Sequence, residues 1–133
     1  MIDISALARR DAFTRGLGIE FVEASLGRAV TRVTIEERHL NFNGVGHGGL
    51  TFTLADAAFG YACNSQGVVS GSIDAHIVYS VAVRLDDVLT ATAVEISRSS
   101  KASNYRIDVV RGDGKLVAAM TGTALISGKP VVV

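Results

Sequence analysis

The chain has 133 residues, 48% of them apolar and 20% charged, with 13 Lys and Arg set against 13 Asp and Glu. That length and apolar content describe one packed domain over residues 1–133 rather than a disordered chain. The balanced charge offers no broad basic field for nucleic acid.

No apolar run is long enough to span a bilayer, and no basic-then-apolar leader opens the sequence. Cys63 is the only cysteine, so an intrachain disulfide and a zinc site built on cysteine pairs are both excluded. These features predict a cytoplasmic protein with no membrane partner. The charged fraction is below the usual ~25%, which predicts that some surface is covered by copies of the same chain.

In chain order, Ile4, Leu7, Ala8 and Phe13 have roughly helical spacing and predict one short surface helix over Asp3 to Phe13, broken by Gly16 and Gly18. Gly18 to Glu23 and Arg28 to Ile35 read as two strands joined by a turn at Ser25-Leu26-Gly27. A polar loop follows from His39 to Gly46, with His39 read as a solvated strand end. Gly48 to Cys63 has good helix formers, no proline and apolar residues on nearly every face, which predicts a helix buried all round. The rest alternates in the manner of strands, over Val68 to Val81, Val88 to Ser97, Ser103 to Arg111 and Lys115 to Ser127, with a hairpin turn at Gly112-Asp113-Gly114. The order predicts an α+β fold in which an antiparallel sheet wraps a central helix.

Asp56 is the one ionisable group in the middle of that helix. A carboxylate among apolar neighbours is either satisfied by a donor or held for use as a base or nucleophile. Gly48 and Gly49 open the same helix, where the first N–H groups have no acceptor in the helix and the dipole favours negative charge. Such a start suits an oxyanion or a phosphate, or is an ordinary glycine-rich entry. Asp56 follows Gly48 by about 12 Å along the helix at 1.5 Å per residue, too far to act on one carbonyl. The two are unrelated features, or they meet across the axis of a dimer whose helices run antiparallel.

His47 borders the helix start and can orient a carbonyl or cap the helix. Ser72, Asp74 and His76 share one strand face without the convergence a triad needs, and Asp74 with His76 is too small a set for a metal. Arg98, Lys101 and Arg106 surround the turn at Ser99 to Ala102, as a solvated edge or a clamp for phosphates.

The run Asn41-Phe42-Asn43-Gly44-Val45-Gly46-His47-Gly48-Gly49-Leu50-Thr51-Phe52-Thr53-Leu54-Ala55-Asp56, continued through Gly67, resembles the signature of the hotdog-fold acyl-CoA thioesterases, and within them the PaaI branch of phenylacetic acid degradation. Asp87 to Ala93 and Tyr105 also fit. The resemblance implies a hotdog fold, an acyl-CoA substrate of phenylacetyl or hydroxyphenylacetyl type, no metal and no cofactor. It also implies a homo-oligomer built as a dimer of dimers. Asp56 matches the catalytic carboxylate, as nucleophile or general base, and Gly48 the backbone donor to the thioester carbonyl. His47 and Asn41 match supporting positions. Gly49, Leu50, Phe59 and Asn64, with Thr53 and Leu54, are expected around the acyl group, and Arg98 and Lys101 around the nucleotide tail.

Three positions depart from the family pattern. Ala82 stands where a proline is frequent, Asp86 where glycine is frequent, and Gly60 where some relatives carry a hydroxyl. A non-catalytic acyl-CoA binding module and a hotdog dehydratase or hydratase are the alternative readings.

Overall fold

The computed structural model describes residues 1–133. Two short helices, α1 (Ile4–Arg10) and α2 (Ala12–Gly16), precede strands β1 (Glu20–Ser25) and β2 (Arg28–Thr34). The central helix α3 (Gly48–Asn64) follows, then β3 (Val68–Tyr79), β4 (Val88–Arg98), β5 (Ala102–Arg111) and β6 (Leu116–Pro130). All six strands join one antiparallel sheet in the order β1-β2-β4-β5-β6-β3. The α+β expectation therefore holds, and the architecture is the hotdog fold: a sheet curled around one long helix.

The composition of the inner sheet face explains how the helix fits. Ala29, Ala91, Ala93, Ala118 and Ala124 are all fully buried there. Residues this small let the backbone of α3 approach the strands, while Leu54, Phe59, Ile107, Val109 and Met120 fill the space between. Irregularities at Phe21/Glu23, Ser72/Asp74, Glu95/Ser97 and Val109/Val110 bend the strands around the helix. Polar ties fix its height above the sheet. The buried Thr31 hydroxyl donates to the Leu54 carbonyl at 2.9 Å, and the Gly27 N–H donates to Ser65 Oγ at 2.8 Å.

Two expectations change. The predicted N-terminal helix is two helices meeting at Asp11, because Asp11 closes the first and caps the second: its N–H donates to Ala8 O and its Oδ1 accepts from Thr14 N. His39 is no solvated strand end. It lies in a 3₁₀ turn over Glu37–His39 and is 2% exposed. Its Nδ1 accepts from Glu36 N at 2.9 Å and its Nε2 faces Leu17 O at 2.8 Å, so the ring braces the loop against the end of α2.

Gly122 shows how tightly the core is set. A Cβ there would lie 2.5 Å from the Phe59 ring, which is 1% exposed and has no room to retreat. Gly122→Ala is expected to destabilise by about 1–3 kcal/mol through overpacking. The check is chemical denaturation, in which the midpoint falls while the slope is kept.

Candidate active site

Helix α3 buries every face but one. The uncovered stripe runs through Gly49, Phe52, Thr53, Asp56, Gly60 and Asn64, which recur at helical spacing. The sequence predicted burial all round. The structure instead leaves this stripe as the floor of a cleft of about 480 Å³ whose far wall is the α1–α2 elbow, with Leu7, Arg10, Asp11 and Phe13.

Asp56 is half-buried in that floor and makes no side-chain hydrogen bond or ion pair within the chain. The reading in which a neighbouring donor simply satisfies it thus finds no donor in its own chain. Burial raises its pKa, and the negative charge of Asp11 across the cleft raises it further. Asp11 itself is held, its Oδ2 accepting from the Tyr61 hydroxyl at 3.0 Å.

The start of α3 is arranged differently from the expectation of two open donors. His47 is the N-cap, and its Nδ1 accepts from Gly49 N at 2.8 Å. The Gly49 N–H is thereby occupied and is not available to a substrate. The Gly48 N–H, at the first helical position, has no acceptor in the chain. One free backbone donor remains at the positive end of the helix dipole. Tyr79 of β3 lies against it, its hydroxyl donating to Gly48 O at 2.9 Å, and a Cβ on Gly48 would sit 3.3 Å from the Tyr79 ring.

Asn41 lies in the loop leading to His47. Its Oδ1 accepts from Asn43 N at 2.8 Å and Val45 N at 3.4 Å, which turns the loop; its amide nitrogen makes no bond within the chain. The loop is pinned by Gly46 N donating to Val83 O and His47 N donating to His39 O.

The thioesterase superfamily model matches residues 43–118, more than half of the chain. The acyl-coenzyme A thioesterase PaaI of Escherichia coli is 36% identical over 117 residues, which are 88% of this chain and 84% of that protein. The chain belongs to the thioesterase superfamily. Human acyl-coenzyme A thioesterase 13 is 31% identical over 86% of this chain and 85% of its own length. Among solved structures, the E. coli PaaI protein from the phenylacetic acid degradation operon superposes with a TM-score of 0.93 at 34% identity, covering 96% of this chain and 93% of that one. A Streptococcus pneumoniae thioesterase protein solved with coenzyme A superposes with a TM-score of 0.81 at 27% identity, covering 85% and 91%. This thioesterase is accordingly an enzyme of the thioester-hydrolase class.

Two residues drop out of the expected acyl surroundings of this thioesterase. Phe59 points into the sheet, its ring 5.5 Å from that of Tyr105 and packed over Gly122, and Leu54 is fully buried beside it. Both are core residues. Asn64 does floor the cleft, but its amide is spent on tying the end of α3 to β3: Nδ2 donates to Gly60 O and Ser70 O, and Oδ1 accepts from Ser70 N. Leu50, with His47, Gly49 and Thr53, lines a second cleft of about 380 Å³ over the helix start.

Arg98 and Lys101 sit on the β4–β5 hairpin, where α3 ends. Arg98 lies 3.5 Å from Glu95, which also accepts from the buried Tyr105 hydroxyl at 2.7 Å, and Tyr105 is in turn within 3.4 Å of Ala62 O. Arg106 pairs with Asp108 on an exposed face, apart from those two.

Asp74 has a structural task, accepting from Thr123 N at 3.0 Å to close the β3 irregularity, and His76 is exposed. No group of three His, Cys, Asp or Glu residues is placed to hold a metal ion. Cys63 is buried and its thiol is pushed up to about 11, so it is an inert core residue. No helix is long and apolar enough to cross a membrane.

The Asp86 departure is now legible. Asp86 has φ 71°, the only positive value outside glycine, so the aspartate takes the left-handed turn that glycine takes elsewhere. What the sequence missed at this site is the elbow. Asp11, an N-cap residue type directly before Ala12 and Phe13, was the signal for a second helix start there.

Proposed function

We propose that this thioesterase hydrolyses acyl-CoA thioesters, with aryl-acetyl groups as the preferred acyl class, and that each site joins two copies of the chain. The observation that carries the reading is the pairing of one free N–H at Gly48 with one partnerless carboxylate at Asp56. They lie eight residues apart on a rigid helix, so the carbonyl bound by one and the base provided by the other come from different copies.

The edge strand supports such a pairing. β3 ends the sheet, and Ile73, Val78 and Tyr79 stand exposed along it. An open apolar edge pairs with another strand unless it is blunted, and β3 against its own symmetry mate continues the sheet and sets two α3 helices side by side. Further pairing of dimers into a tetramer follows the family resemblance.

In this reading the thioester carbonyl accepts from Gly48 N–H of one copy. Asp56 of the other takes a proton from water, and the resulting hydroxide attacks the carbonyl carbon. The oxyanion formed is held on Gly48 N–H at the helix start, where the dipole favours it. The C–S bond then breaks, CoA leaves as a thiolate that takes up a proton, and the acid is released. Direct attack by Asp56 through a mixed anhydride uses the same two groups.

The Asn41 amide and His47 support the attacking water or the carbonyl, and Leu50 borders the acyl group. Arg98 and Lys101 face the CoA phosphates, and no cofactor is required. The aryl-acetyl preference rests on the PaaI relatives and on the apolar wall of Leu7, Phe13 and Phe52.

The test is release of free thiol from a panel of acyl-CoAs that includes phenylacetyl-CoA and hydroxyphenylacetyl-CoA. Turnover, fastest with the aryl-acetyl esters, is the expected result. Tight binding of the same esters without thiol release would make the protein a binding module instead, and formation of enoyl-CoA would make it a dehydratase.

A further inference from the structure

The cleft over Asp56 and the cleft over the helix start lie end to end along the same stripe of α3, and they share two residues, Phe13 and Thr53. Thr53 is fixed, its hydroxyl donating to Gly49 O at 2.8 Å. Phe13 is the contrast. Its side chain is 67% exposed and makes no aromatic pair, while its backbone belongs to a firmly tethered elbow.

That elbow is held at three points. Tyr61 donates to Asp11, Arg10 donates to Val132 O at 3.0 Å, and Arg38 donates to Gly16 O at 2.6 Å. A rigid support thus holds one large apolar ring at the junction of two clefts. Several large apolar side chains are exposed on this chain, Phe42 and Met1 among them, so what singles out Phe13 is its place at the junction rather than its exposure.

We propose that Phe13 is the end wall of the acyl site: its ring separates the Asp56 cleft from the cleft over the helix start and sets the longest acyl group admitted. The inference rests on the acyl-CoA reading above. It makes Phe13 a specificity residue with no part in bond cleavage.

The experiment compares wild type, Phe13→Ala and Phe13→Trp on straight-chain acyl-CoAs from acetyl to palmitoyl. Removing the ring joins the two clefts. In Phe13→Ala, kcat/KM for the longest esters is expected to rise on the order of tenfold relative to the short ones, the scale at which a few apolar contacts discriminate. Phe13→Trp is expected to move the cutoff towards shorter chains. A uniform change across the series, or none, would overturn the proposal, because a merely structural role does not sort substrates by length.

Binding of non-hydrolysable thioether analogues of the same lengths separates this outcome from failure of the hydrolase reading. If no thioester is cleaved but the length profile of binding moves, the wall stands and the hydrolase reading falls. If thioesters are cleaved and both profiles are unmoved, the wall alone falls. If neither cleavage nor a moved profile is seen, both fall. Phe13 is exposed, so both variants are expected to fold as wild type.

Discussion

Asp56→Asn is expected to lower kcat by about 10²–10⁴-fold and to make the protein more stable at neutral pH. Both effects have one cause. Asp56 is half-buried, finds no donor in its own chain and faces the charge of Asp11, so its pKa is raised by burial first and by Asp11 second. The folded state then holds the Asp56 proton more tightly than the unfolded chain does. The destabilisation from its charge is fully present above the folded pKa and is relieved as pH falls through that value.

Asparagine keeps the shape and removes the charge, so the thermal midpoint is expected to rise while turnover collapses. It can neither take a proton from water nor form an anhydride. The same raised pKa predicts that wild-type kcat/KM falls on the acid side at a higher pH than an unperturbed aspartate would give. Thiol release across pH, with thermal melts of both proteins, checks the whole set. Near wild-type turnover by Asp56→Asn would remove Asp56 from the chemistry.

What the sequence made legible here depended on range. Helix α3 was plain because Gly48 to Cys63 carries sixteen residues without proline, and the strands were plain from their β-branched alternation. The hairpin at Gly112 to Gly114 was plain from turn chemistry, and Gly114 does take φ 87°.

The misreadings all involve partners far away in sequence or side-chain caps. Phe59 looked like a pocket residue because nothing local says that Gly122, on another strand, leaves a hole for its ring. His39 looked solvated because its partner Leu17 lies 22 residues earlier. Gly49 looked open because capping is only one of two roles that the position of His47 allows, and Asn64 looked free because Ser70 reaches it only once β3 has turned back. The two candidate chemical groups stand out in the sequence because both are local anomalies: a carboxylate in an apolar helix, and a helix start without side chains.

Gly48→Pro is expected to cost about 10²–10³-fold in kcat by deleting one N–H, and its rescue by a second inactive variant would establish the composite site. Proline is well placed at this position. It is the first residue of α3, where the N–H has no helical partner, and His47 before it is already extended at φ −62°, ψ 133°. The added ring meets Tyr79, whose nearest ring atom lies 3.3 Å from a Cβ at this position, so a shift of a few tenths of an ångström accommodates it.

If each site takes Gly48 from one copy and Asp56 from the other, a mixed dimer of Gly48→Pro and Asp56→Asn holds one site with both defects and one with neither. Unfolding and refolding the two inactive proteins together in equal amounts is then expected to restore about a quarter of wild-type activity, since half of randomly formed dimers are mixed and each has one intact site. Sites confined to single chains restore nothing, because every chain carries a defect. Recovery on co-refolding but not on simple mixing would also show that the dimer exchanges subunits slowly, as expected for copies joined through a continuous sheet.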